Sequence, residues 1–227
     1  MNIMTEEILM SIKRIIFDLD NTLIDWKEEY WNTVKETFME LHLQCNDETV
    51  NRVKCAVDMY EDGIRMTYNK QLMQEAIEKE LGYMLPQEFI NIWLKYLGEC
   101  VPEKVDESLI KTLEYLKNKY ELVVLSNWFK SSQDARLKKA GLYKFFTATY
   151  MTESFPMKPN KEAFEIVKGK YKENECVMVG DNFEVDIKGA IAVGMNAIYL
   201  NKNDKSIEQN SHVMATIHNI QELKQVI

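Results

Sequence analysis

Four short apolar runs constrain this chain more than any other feature: I-K-R-I-I-F-D-L at 12–19, E-L-V-V-L-S-N at 121–127, E-C-V-M-V-G-D at 175–181 and N-A-I-Y-L at 196–200. Each is too short for a buried helix, and the apolar centre of each runs without alternation, as in a strand covered on both faces. From about Val101 onward such runs alternate with helical segments: 106–117, 132–140 closed by Gly141, 161–167, and 185–193 closed by Gly194. T-A-T-Y-M at 147–151 and H-V-M-A-T-I at 212–217 read as further strands, with a helix at the end. That alternation implies an α/β chain built on a doubly wound parallel sheet.

The alternation is interrupted once. After Asp25 the pattern turns helical, with Trp31, Val34, Phe38 and Leu41 on one stripe and Leu72, Ala76, Ile77 and Leu81 on another. Pro86 reads as a helix start, followed by Phe89, Ile92, Trp93 and Leu97. We therefore expect an α/β core from residues 1–25 and 101–227, and an all-helical domain at 26–100 inserted after the first strand.

Ligands of open α/β sheets bind beyond the carboxyl ends of the strands. Polar residues gather there: Asp18, Asp20, Asn21 and Thr22 after the first strand, Ser126 and Asn127 after V-V-L, Lys158 and Pro159 after T-A-T-Y-M, and Asp181, Asn182 and Asp186 after V-M-V. Were the first strand to continue, Asp18 and Asp20 would share a face. Two like charges ~4 Å apart at an effective dielectric near 20 repel by about 4 kcal/mol, so the pair needs a cation, a proton or a chemical role. Oxygen ligands without nearby His or Cys select a hard cation such as Mg2+. Ser126 also fits a turn or helix cap, Asp186 a first-turn helix residue, and Asp25 the cap of the next helix.

The ordered set D-x-D-x-T, S-N, K-P and G-D-x-x-x-x-D, with a helical insertion between the first two, resembles the four motifs of the haloacid dehalogenase-like (HAD) hydrolase superfamily, phosphatase branch. The resemblance spans nearly the whole chain and implies a Rossmann-like core with a helical cap. It implies that Asp18 is the nucleophile that becomes an aspartyl-phosphate and a Mg2+ ligand. Asp20 would be general acid and base, its carbonyl also on the metal. Asp181 would be the remaining direct carboxylate ligand, and Asp186 would coordinate the ion or hold a metal-bound water. Ser126, Asn127 and Lys158 would bind phosphoryl oxygens, and Thr22 would orient the Asp20 loop. Dehalogenases of this superfamily carry a non-acidic residue where Asp20 stands, so an acid there points to a phosphate monoester, whose alkoxide leaving group needs a proton. A sugar-phosphate mutase of the same superfamily and a phospho-acceptor regulatory domain are the alternatives. Trp128, where a glycine is frequent, and Asn160, where an acid is frequent, depart from the commonest pattern. Trp26 either packs or borders the site entrance.

A formal charge of -8 argues against a nucleic-acid polymer as partner. Cys45, Cys55, Cys100 and Cys176 lack C-x-x-C spacing, which argues for reduced thiols rather than a zinc site. The opening thirteen residues lack the pattern of a leader and no run reaches membrane-spanning length, so a cytoplasmic protein with a small phosphate ester as partner is expected.

Overall fold

The structure is a computed structural model that describes residues 11–63, 67–153, 155–204 and 212–227. The reading of the opening thirteen residues as no leader falls mostly on residues 1–10, outside the described residues. The apolar runs form β1 (Arg14–Phe17), β2 (Glu121–Ser126), β3 (Ala148–Met151), β4 (Cys176–Gly180), β5 (Asn196–Leu200) and β6 (Val213–Ile217). They pair in parallel in the order β3-β2-β1-β4-β5-β6. β1 is therefore central, flanked by β2 and β4, whose ends carry two of the other polar clusters, while the Lys158 cluster follows β3.

Side chains alternate across the sheet into two cores. Ile15, Phe17, Leu122, Val124, Val177 and Val179 face one; Ile16, Val123, Leu125, Cys176 and Met178 face the other. Before the sheet resumes come α1 (Thr33–Glu40), α2 (Asp47–Gly63), α3 (Lys70–Leu81) and α4 (Phe89–Leu97). They enclose a third core around Phe38, Ile77, Phe89 and Trp93, which Phe129 joins from beyond β2. α5 (Glu107–Lys117), α6 (Lys130–Lys139), α7 (Lys161–Lys168), α8 (Lys188–Ile191) and α9 (Leu223–Val226) complete the described helices. Among the described residues no strand lies between 26 and 100, and no helix is long and apolar enough to cross a membrane.

Several boundaries differ from the sequence reading. β1 stops at Phe17, because the Leu19 carbonyl accepts the N–H groups of Thr22, Leu23 and Ile24 at 3.3, 2.9 and 3.0 Å and turns the chain at once. Asp18 and Asp20 thus do not share a strand face. On α3 the buried stripe is Met73, Ile77 and Leu81, whereas Leu72 is exposed. Pro86 precedes its helix rather than starting it; its carbonyl accepts the Phe89 N–H at 2.9 Å. The helix expected at 185–193 begins earlier as a wide π-type turn, Phe183–Ile187, before α8. Gly141 (φ +68°) and Gly194 (φ +82°) close their helices in the left-handed conformation, as expected.

α8 can approach the Pro159 loop because Gly189 has no side chain: a Cβ there would sit 2.5 Å from the buried Phe164 ring and 3.3 Å from Pro159 Cα. Gly189→Ala is expected to destabilise by about 1–3 kcal/mol through overpacking, read as a lowered denaturant midpoint. Gly63→Ala, where a Cβ meets nothing within 4 Å, should leave the midpoint level or raise it slightly.

Candidate active site

Asp18 continues the sheet by one hydrogen bond, its N–H to the Val179 carbonyl at 2.9 Å, and then turns a buried carboxylate into the space beyond β1. Lys158 meets it there. The Lys158 ammonium is 2.7 Å from Asp18 Oδ1 and 2.6 Å from Asp186 Oδ1, and the residue is only 2% exposed. Asn127, just past β2, fixes the lysine backbone: its Nδ2 donates to the Lys158 carbonyl (2.7 Å), and its Oδ1 accepts the Lys158 N–H (2.8 Å). The Asn127 side chain, expected at phosphoryl oxygens, is thus engaged with the Lys158 backbone.

Asp186 is placed by local chain geometry. Its Oδ2 accepts the Asn182 N–H (3.1 Å), and the Asn182 side chain accepts from Glu184 N and Val185 N (3.2 and 3.1 Å), locking the turn. Gly180 makes room, since a Cβ there would lie 2.3 Å from Asp186 Oδ2. Both Asp186 oxygens therefore have protein partners, the Lys158 ammonium on Oδ1 and the Asn182 N–H on Oδ2.

One oxygen each of Asp18, Asp181 and Asp186 lies within 4.8 Å of the others, a grouping able to hold a cation. Three carboxylates against one ammonium leave two negative charges, the complement of a divalent ion. Burial, partly countered by Lys158 and reinforced by Asp186, pushes Asp18 up to about 7. Burial and then the Asp18 charge push Asp181 up to about 6, and burial pushes Asp186 upward as well. For Lys158 burial acts downward, but the charges and hydrogen bonds of Asp18 and Asp186 outweigh it and hold the ammonium well above the ordinary lysine range. Thr22 is turned to Asp181 rather than Asp20, its hydroxyl donating to Asp181 Oδ1 at a long 3.4 Å. A cavity of ≈ 360 Å³ lined by Asn21, Asp181, Tyr199, Asn201 and Lys202 opens beside this carboxylate.

Asp20 faces a different cation. Arg136 pairs with its Oδ1, and Gln133 Nε2 donates to its Oδ2 at 2.6 Å. The same amide donates to Ser126 Oγ at 3.0 Å, so Asp20 and Ser126 are joined through Gln133. Each of the two aspartates has its own positive partner, which offsets the repulsion between them. Sequence reading missed Gln133 and Arg136. Their signal is faint: both are buried with Leu137 on α6, where a core-facing helix normally places apolar residues. The ring of Trp26 lies over the Arg136 guanidinium at 5.7 Å. Trp128 packs edge-on against Tyr68, Trp93 and Phe129.

With this geometry in place, comparisons with known proteins point one way. A family model described as haloacid dehalogenase-like hydrolase matches residues 12–194. Glyceraldehyde 3-phosphate phosphatase of Methanocaldococcus jannaschii is 26% identical over 239 residues, covering 95% of this chain and 97% of that one. Pyrimidine 5'-nucleotidase YjjG of Escherichia coli is 27% identical over 157 residues, 67% of each. Among solved structures, the magnesium-bound HAD-hydrolase YfnB from Bacillus subtilis superposes with a TM-score of 0.70 at 20% identity, covering 95% of this chain and 98% of that one. At that identity the likeness is one of fold.

Removing Lys158 leaves two buried carboxylates facing each other. Lys158→Met is expected to cost about 3–5 kcal/mol near pH 8 and less at pH 5, where the carboxyls can take up protons. Denaturant midpoints of variant and parent at the two pH values check this; an equal loss at both would show that the ion pairs are not what the lysine contributes.

Proposed function

The chain belongs to the haloacid dehalogenase-like hydrolases, and from that membership we propose that it is a Mg2+-dependent phosphatase acting on small phosphate monoesters through an aspartyl-phosphate on Asp18. The observation that carries the reading is Asp20, an acid two residues past the nucleophile, held by Arg136 and Gln133 beside Ser126. A leaving alkoxide needs the proton such a group can give. Two relatives bear the names of a phosphatase and a nucleotidase, which share a phosphate ester and differ in the alcohol that leaves.

The donor set fits a small hard cation, being all carboxylate, closely grouped and two charges in excess. Asp18 and Asp181 would hold it, with Asp186 behind them; when bound, Mg2+ would offset the charge that keeps a phosphate from a carboxylate.

The chain's own groups then divide the reaction. Lys158 and the Ser126 hydroxyl bind phosphoryl oxygens, the lysine also keeping the Asp18 carboxylate in place. A carboxylate oxygen of Asp18 attacks phosphorus, the P–O bond to the alcohol breaks, and the leaving oxygen takes the proton of the Asp20 carboxyl. In the second step Asp20 takes a proton from water, whose oxygen attacks phosphorus. The bond to Asp18 breaks, phosphate leaves, and the proton is again on Asp20.

Purified protein with Mg2+ should release free phosphate from members of a metabolite panel, whereas an isomerised sugar phosphate would mark a mutase. Asp18→Asn should lower kcat by more than about 10^3-fold, and Asp20→Asn by about 10^2- to 10^4-fold on alkyl phosphates. Full turnover by Asp18→Asn would remove the proposed nucleophile.

The carboxyl shifts add a pH signature. Without metal, Asp18 near 7 and Asp181 near 6 keep protons that the unfolded chain releases at about 3.9. Between about pH 4 and 7 the folded state thus binds more protons, and metal-free stability falls as pH rises through that window. To hold Mg2+, Asp18 and Asp181 would have to give up those protons. The rise in Tm on adding Mg2+ should therefore be larger at pH 8 than at pH 5, and a pH-independent rise would contradict the proposed ligands.

A further inference from the structure

Arg136 is 1% exposed and joins three parts of the molecule. Its Nη1 pairs with Asp20 Oδ1 and donates to Gln133 Oε1 at 2.8 Å. Its Nε donates to the Cys100 carbonyl at 2.9 Å, where the chain leaves the helical insertion. Trp26, where the chain enters the insertion, covers the guanidinium at 5.7 Å and donates its own N–H to Asn21 Oδ1 at 3.0 Å. The exit is seated closely: a Cβ on Gly98 would fall 2.8 Å from Ala135 Cβ, and Lys139 pairs with Glu99 at 2.6 Å. One buried side chain thus touches the acid, the entry linker and the exit linker.

Stability does not explain this choice. Arg136 Nη2 is buried without a hydrogen-bond partner among the described residues, as is the nearby Tyr30 hydroxyl. A buried ion pair with unsatisfied donors generally does no better than apolar residues of the same shape. What an apolar side chain could not supply is the fixed direction of the Asp20 carboxylate, held on both oxygens by Arg136 and Gln133, with Gln133 also on Ser126.

We propose that Arg136 and Gln133 are positioning residues for Asp20, and that Arg136 sets its carboxylate by reference to both linkers of the helical insertion. This rests on the role given to Asp20 above. The consequence is selective: steps that use the Asp20 carboxyl depend on the clamp, and steps that do not are spared it.

The test compares leaving groups. With an alkyl phosphate, Arg136→Met should slow the first chemical step by about 10- to 100-fold with KM little changed, less than removing the acid altogether. With 2,4-dinitrophenyl phosphate, whose leaving group departs without a proton, the burst of dinitrophenolate should stay within about threefold of the parent. The following steady state should slow, because hydrolysis of the acyl phosphate still needs Asp20. Gln133→Met should give the same pattern more weakly, and Arg136→Lys should recover part of the alkyl rate. Equal loss of the first step on both substrates, or an effect confined to KM, would overturn the proposal. A double-mutant cycle of Arg136→Met with Asp20→Asn on thermal unfolding gives a readout without turnover. Non-additive losses support the clamp, and additive losses overturn it. If the parent turns over no phosphate ester, the phosphatase reading fails, while the cycle still decides the clamp.

Discussion

The site turns on a single buried ammonium. Lys158 lies between Asp18 at the end of β1 and Asp186 beyond β4, reached from the loop after β3 and held by Asn127 from the end of β2. Every strand neighbouring β1 is therefore tied to one charge. The parallel order that puts β1 between β2 and β4 is what allows it, since parallel strands bring their carboxyl ends to the same edge of the sheet. Without the ammonium, the sheet would present buried carboxylates to one another.

The second aspartate is governed separately. Because the chain turns at Leu19, Asp20 leaves the strand direction of Asp18 and enters the field of Arg136. The two carboxylates, two residues apart, thus have different cations, different burial and different neighbours. Such a division suits two unlike chemical roles, one group fixed among charges and the other beside the point where the helical insertion joins the sheet.

Much of this was legible in the sequence because a strand buried on both faces leaves a plain mark. The runs around Ile15, Val123, Val177 and Ile198 were readable, as were the polar clusters at their ends, and Gly141 and Gly194 marked helix ends. What was not legible depends on where turns send side chains. Nothing local to Leu19 announces that its carbonyl gathers three N–H groups, so the direction of the Asp20 side chain relative to Asp18 was not readable. Lys158 before a proline looks like a surface lysine, yet it is buried with its ammonium between Asp18 and Asp186. Thr22, expected on the Asp20 loop alone, turns to Asp181. Gln133 and Arg136 were not singled out, because their partner Asp20 is more than a hundred residues away. In the insertion, the one-residue phase change from Leu72 to Met73 shows how weakly a short apolar stripe fixes its own centre.

The proposed chemistry requires Asp18 to carry the phosphoryl group during turnover. Rapid quenching of the protein during turnover of a phosphate monoester with Mg2+, followed by peptide mapping in a mass spectrometer, tests this directly. A hydroxylamine-labile phosphoryl group is expected on the peptide containing residues 15–25, localised to Asp18 and absent from Asp18→Asn. Phosphate release at full rate with no phosphoryl group on that peptide, or with one on another residue, would rule out Asp18 as the nucleophile.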